Sequence, residues 1–341
     1  MSSASNQEDF PISPNLGTGL RLFFYSQFFV TPQCPTHSFA KQTVIVTGAN
    51  SGLGLEAAQH FYRLHCDRLI LAVRTIAKAK RPKSIFYGAT RSGPIRKPSR
   101  YGPSTSRAPR RHGTAAVGRF VNNAGINPPE WKLYEDYEQA VQVNVLNTFI
   151  LALSLLPKLE ASAALAEKES PPHLVIVSSE AHRLTKFPEI NAPDLYAKLN
   201  EKSSFSQQPR YQVTKLMEVL FTRELVARLG ASTRVIVNIV NPGLCTSNLE
   251  RNSGEAPVVM RLVRRLLDRT TEVGSRTLVL GASAPASSHG EFQSDGVNQD
   301  VEAWTDTEVG QRAQKKVFEQ TLRILEVRRP GIACEAGLRE V

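Results

Sequence analysis

The sequence predicts an α/β fold: a Rossmann-type, doubly wound parallel sheet with helices on both faces. Three observations predict it. Short β-branched or apolar runs recur at residues 43–48, 68–74, 173–179 and 234–243, the composition of strands buried on both faces. Stretches with helical spacing lie between them, as the crossovers of a parallel sheet require. The cluster TGANSGLG, residues 47–54, ends the first strand and opens the first helix, where backbone N–H groups and a helix N-terminus can receive a pyrophosphate.

The elements follow in chain order. Residues 1–40 form an N-terminal tail with one apolar segment, LRLFFYSQFFV (20–30). That segment is too short to span a bilayer. It reads either as a helix packed on the main domain or as a shallow interfacial anchor. The domain itself is expected over 41–325, followed by a C-terminal tail, 326–341. TVIVTG (43–48) is a buried strand, LEAAQHFYRL (55–64) a helix and RLILAVR (68–74) a second strand. FVNNAG (120–125) is a strand end, and residues 134–159 are expected to form one long, largely buried helix. HLVIVSS (173–179) is a further strand. Residues 211–229 form an amphipathic helix, and RVIVNIVNPG (234–243) is a strand closed by a Pro-Gly turn.

One stretch breaks the pattern. Residues 76–118 hold neither a period of two nor one of 3.6, and Pro, Gly, Ser and Arg dominate. Such a composition cannot bury enough apolar surface to offset its ordering entropy. Eleven basic residues fall between Lys78 and Arg111, and no acid occurs between Asp67 and Glu130. The net charge of +11 therefore belongs to this stretch and not to the fold. It reads as a segment translated out of frame or a misread intron, as a disordered basic insert, or as a diverged but folded segment. Its few aromatics, Phe86, Tyr87 and Tyr101, do not make a nucleic-acid module, so no nucleic-acid partner is expected. The four cysteines, Cys34, Cys66, Cys245 and Cys334, have neither metal-ligand nor redox spacing. No metal is expected, and a reduced cytoplasmic location is, with peripheral membrane contact through residues 20–30 as its variant.

The remaining motifs carry the chemistry. In TGANSGLG, Gly48 allows a tight turn, and Gly52 and Gly54 allow close approach of a ligand; Thr47, Ser51 and Leu53 complete the loop. NNAG follows at Asn122, Asn123, Ala124 and Gly125, then Asn144 in VNVLNTF, SSEAH with Ser179, YQVTK with Tyr211 and Lys215, and NPGLCTS with Pro242, Gly243, Cys245 and Ser247. This ordered set resembles the short-chain dehydrogenase/reductase family from about residue 39 to 286. Spacing T-G-x-x-x-G-x-G distinguishes it from the G-x-G-x-x-G fingerprint. Taken singly, Tyr211 reads as an interface tyrosine and Lys215 as a solvated helix lysine; only the combination points to a site.

The resemblance implies strand order 3-2-1-4-5-6-7 and a nicotinamide cofactor. It implies Tyr211 as general acid/base, Lys215 as the cation that lowers its pKa and binds the nicotinamide ribose, Ser179 as hydrogen-bond partner of the reacting oxygen, and Asn144 as holder of a water, with Asn144 and Tyr211 also at the cofactor and Pro242, Gly243, Cys245 and Ser247 in a loop that closes over the nicotinamide. The chemistry is coherent: a free tyrosine, with a pKa of about 10, needs a neighbouring cation to act near neutrality. Arg74 ends the second strand, where an arginine pairs with a 2′-phosphate and favours NADP over NAD. Ser179 and Tyr211 are 32 residues apart, an interval resembling the retinol-dehydrogenase-like branch and many filamentous-fungal members. That implies a small-molecule partner, a bulky apolar alcohol or its carbonyl, with a place in secondary metabolism. Members often form dimers or tetramers, so a homo-oligomer is compatible. The non-enzyme alternative is a silent Rossmann protein that binds a partner or acidic surface through its basic stretch.

Overall fold

The computed structural model describes residues 9–74, 117–164, 170–246, 249 and 267–338. Its sheet contains β1 (Thr43–Thr47), β2 (Arg68–Ala72), β3 (Val117–Asn122), β6 (His173–Val177), β7 (Ile236–Asn241), β8 (Phe292–Ser294) and β9 (Val297–Gln299). The order across it is β2-β1-β3-β6-β7-β8-β9. Every pair is parallel except the β8–β9 edge. The expected third strand falls in 76–118 and, with the reading of that stretch as disordered or misread, lies outside the described residues, save at Val117 and Gly118, which open β3 instead of ending the irregular stretch. With that strand set aside, the predicted order holds, and β9 is an addition at the far edge.

The period of two explains the layers. Ile45, Phe120, Leu174, Ile176 and Val237 point to one face. Val44, Val46, Val121, Val175 and Val240 point to the other. On the first face lie α3 (Asn147–Ala163), α5 (Gln207–Leu229) and α7 (Glu308–Arg328), locked through Phe149, Phe221 and Phe318. The Phe149 and Phe221 rings stack at 3.8 Å between centroids. On the second face lie α2 (Gly52–Arg63) and α6 (Thr271–Gly281), closed by Ala57, Phe61 and Leu278.

Two boundaries differ from the sequence reading. The helix expected over 134–159 starts later. Leu133–Tyr134 (β4) and Tyr137–Glu138 (β5) form a two-stranded hairpin, turned by Glu135 and Asp136 at φ 49° and 73°. The Glu138 carboxylate then accepts hydrogen bonds from the N–H groups of Ala140 and Val141, so a glutamate does the work usually left to an N-cap residue. A π-helical turn, Val141–Leu146, leads from there into α3. The C-terminal tail is also folded. The boundary at 325/326 falls inside α7, and after it α8 (Ile332–Glu335) buries Ile332 against the core.

The N-terminal tail is anchored as well. Phe10 and Ile12 are buried in the main core. A helix, α1 (Leu16–Phe29), begins at Asn15, whose side chain accepts from the Thr18 N–H. It seats its Gly19 and Ser26 side on the domain and leaves Leu16, Leu20, Phe24, Tyr25, Phe28 and Phe29 exposed.

Candidate active site

The site lies at the C-terminal ends of β1, β3, β6 and β7, where a doubly wound sheet opens a crevice. Thr47 ties its first two loops together. Its hydroxyl accepts from the N–H groups of Asn123 (2.8 Å) and Ala124 (2.9 Å) and donates to Asn122 Oδ1 (3.2 Å). Asn122 Nδ2 donates to Thr148 O at 2.7 Å, and Asn123 Nδ2 to Thr47 O at 2.9 Å. Glycine loop and N-N-A-G turn are thus one hydrogen-bonded unit.

That unit fits a dinucleotide. Gly48 and Gly52 have φ of 67° and 57°, the left-handed region that favours glycine. A β-carbon at Gly52 would meet nothing within 4 Å, so the first turn of α2 faces open space. Ser51 and Leu53 flank this opening, half-buried. Arg74 is exposed just past the end of β2. Residues 47, 48, 51–54 and 122–125 would hold the pyrophosphate and ribose, with Arg74 near the adenosine end.

The chemical groups converge from three elements. Asn144 sits in the π turn, a distortion that recurs at functional sites. Its Oδ1 accepts from the Ile126 N–H, and its Nδ2 donates to Ile126 O and to Thr214 Oγ1, at 2.9, 2.9 and 3.0 Å. The turn at Gly125 touches both partners: a β-carbon there would lie 3.4 Å from Asn144 Oδ1 and 3.8 Å from Lys215 Nζ. On α5, Tyr211 and Lys215 share one face, four residues apart. Lys215 Nζ lies 5.6 Å from the centre of the Tyr211 ring. Lys215 is buried and donates to Val177 O at 3.0 Å and to Glu218 at 2.9 and 3.1 Å. Tyr211 is half-buried.

At the end of β6 the two serines divide. Ser178 is buried and its hydroxyl donates to Lys215 O at 3.1 Å. Ser179, half-exposed, opens the 3₁₀ turn Glu180–Leu184 and accepts from the Ala181 N–H at 3.2 Å. The loop after β7 carries Pro242, Gly243 at φ 76°, and Cys245. The Cys245 thiol is pushed up to about 12, chiefly by burial, so it is a packed thiol and not a nucleophile. Ser247 lies outside the described residues.

Sequence reasoning missed the supports. Gln27 of α1 accepts from the Leu244 N–H and donates to Leu244 O and Leu267 O. Arg269 bridges Ser26 O, Val30 O and the Asp295 carboxylate. No local pattern announces these long-range contacts. Glu218 was legible in principle: it is a carboxylate three residues after Lys215 in an otherwise apolar run, on the same helix face.

Comparison with known proteins agrees with this geometry. Residues 42–189 match the family model described as short chain dehydrogenase. The short-chain dehydrogenase anuD of Penicillium roqueforti is 35% identical over 91% of this chain and 84% of its own. The short chain dehydrogenase/reductase dmxR8 of Cryptosporiopsis is 34% identical over 91% of this chain and 98% of its own. Among solved structures, the Pseudomonas aeruginosa RhlG/NADP active-site complex superposes with a TM-score of 0.52 at 19% identity, covering 76% of this chain and 96% of that one. The oxidoreductase yciK of E. coli gives 0.51 at 19% identity, covering 77% and 98%. At those identities the structural likeness speaks for the fold alone. The sequence relatives run nearly end to end with this chain, and with them it belongs to the short-chain dehydrogenase family, as an NAD(P)-dependent oxidoreductase.

Proposed function

We propose that this protein interconverts an alcohol and a carbonyl on a bulky apolar substrate and prefers NADP to NAD. The observation that carries the reading is Lys215, buried one turn after Tyr211 and close against Gly125 of the N-N-A-G turn. A bound nicotinamide supplies or accepts the hydride. The residues handle the proton and the geometry. In the reductive direction the carbonyl carbon takes the hydride, and Tyr211 gives its phenolic proton to the oxygen. In the oxidative direction the phenolate takes that proton back. Lys215 stabilises the phenolate, Ser179 orients the reacting oxygen, and Asn144 links Lys215 to solvent. The fungal relatives support a place in secondary metabolism. The test is NADPH consumption by the purified chain over a panel of apolar ketones, and no turnover on any of them would sink the reading.

NADP preference rests on Arg74. An exposed arginine at the end of β2 can pair with a 2′-phosphate, and a charge-assisted bond of that kind contributes about 1.5–3 kcal/mol. Arg74→Asp is expected to lower kcat/KM with NADPH by about 10- to 100-fold and to leave NADH use equal or better. An unchanged cofactor ratio would remove Arg74 from the adenosine site.

The exposed side of α1 supports contact with an anionic bilayer. Leu16, Leu20, Phe24 and Phe28 follow one another at a spacing of four, and Arg21 is the helix's only charge. An aromatic face without acidic residues suits the headgroup boundary. Phe24→Ser with Phe28→Ser should reduce co-sedimentation with phosphatidylserine vesicles by about tenfold. Equal sedimentation of both forms, or none by the unaltered chain, would discard the contact.

A further inference from the structure

Lys215 is more tightly held than its assigned work requires. An ammonium has three protons, and here they are taken by Val177 O and by both oxygens of Glu218. Lys215 and Glu218 are 5% and 2% exposed, so this is a desolvated ion pair inside the helix that carries Tyr211. A lysine that is to stabilise a phenolate and bind a ribose must loosen at least one of those contacts.

We propose that Glu218 is a positioning residue that parks Lys215 in an ion pair and sets how much of its charge reaches Tyr211. The proposal rests on the reading of Tyr211 as acid/base and deepens it. Two arrangements of the lysine follow. Paired with Glu218, its positive charge is largely cancelled, and Tyr211 keeps its proton. Released from Glu218, its charge acts on Tyr211, and the phenolate becomes accessible.

The surroundings leave Glu218 free to act this way. Burial pushes its carboxyl up to about 7, against the pull of Lys215. Burial likewise pushes Lys215 down, but Glu218 and Tyr211 together offset it and the ammonium stays above the ordinary lysine value. The charged groups on the neighbouring elements are engaged elsewhere. On the 3₁₀ turn Glu180–Leu184, Arg183 pairs with Glu302, and burial holds His182 neutral, pushed down to about 3. Along α5, Arg210 faces Glu189 and Glu138 beyond the first turn. Toward α7, Arg223 pairs with Asp306, and Arg228 with Glu224 and Glu319. The β6 and π-turn groups at the pair, Ser178 and Asn144, do not titrate in this range.

The sign follows from electrostatics. Above neutrality Glu218 is a carboxylate, and a nearby negative charge opposes formation of another on Tyr211. Removing it should make the phenolate form at lower pH. The measurement is tyrosinate absorbance of the full chain through a pH titration, with the Tyr211→Phe curve subtracted to isolate Tyr211. In Glu218→Gln the Tyr211 midpoint is expected to fall by about one pH unit. A midpoint that stays or rises overturns the proposal. Should the Gln variant fail to fold by circular dichroism, Glu218→Asp takes its place. It draws the charge back by one methylene and should give a smaller fall in the same direction, and an unmoved midpoint there overturns the proposal equally. The titration uses neither substrate nor cofactor, so its failure is distinct from failure of the oxidoreductase reading, which the ketone panel tests.

Discussion

Tyr211→Phe is expected to lower kcat/KM for ketone reduction by about 100- to 10,000-fold, the usual range for losing a positioned proton donor. The substitution removes one hydroxyl and leaves the ring, so packing and the contact with Lys215 5.6 Å away are kept. Folding stability should change by less than about 1 kcal/mol, because Tyr211 is half-buried and a surface-facing change of this size is small. NADPH affinity should also persist, since the glycine loop and the N-N-A-G turn are stitched to each other through Thr47 and not through Tyr211. Loss of turnover with binding and melting temperature intact is therefore the signature of the proton role. A Phe variant that keeps a tenth or more of the activity would assign the proton to another group.

How much of this was legible beforehand depends on the range of the interactions. The strands β1, β6 and β7 were visible because a strand buried on both faces needs apolar side chains at every position, and its sequence says so locally. The glycine loop and the Tyr211–Lys215 pair were visible because both are short-range constraints, a turn and one helical repeat. The start of the helix near residue 138 was hidden because its cap is a glutamate reaching its own helix start after a hairpin, where Ser, Thr, Asp or Asn is the usual signal. The folded C-terminus was hidden for another reason. Ile332 is buried by contact with helices far away in sequence, and four residues of helix carry no periodicity to read. Gln27 could not be found at all: its partners Leu244 and Leu267 lie more than two hundred residues on.

Gly54→Val is expected to abolish measurable NADPH binding, with Kd rising at least about 100-fold, or about 2.7 kcal/mol. Unlike Gly52, Gly54 has no room for a side chain. A β-carbon there would come within 2.6 Å of Asn123 Nδ2 and 2.8 Å of Gly48 O. The second contact is backbone and cannot swing away, so the glycine loop itself must move. The first would displace the Asn123 amide from Thr47 O, and with it the bond that sets the loop against the N-N-A-G turn. Overpacking of this kind costs about 1–3 kcal/mol of stability, and the strain falls where the pyrophosphate would lie. Gly52→Ala makes the contrast. A β-carbon at Gly52 meets nothing within 4 Å, so its cost is limited to the left-handed φ, roughly 1–2 kcal/mol. Fluorescence titration of NADPH against both folded variants separates the two causes. If Gly54→Val binds as tightly as the unaltered chain, the close approach at Gly54 is not part of the cofactor site, and the fit of this loop to a dinucleotide fails with it.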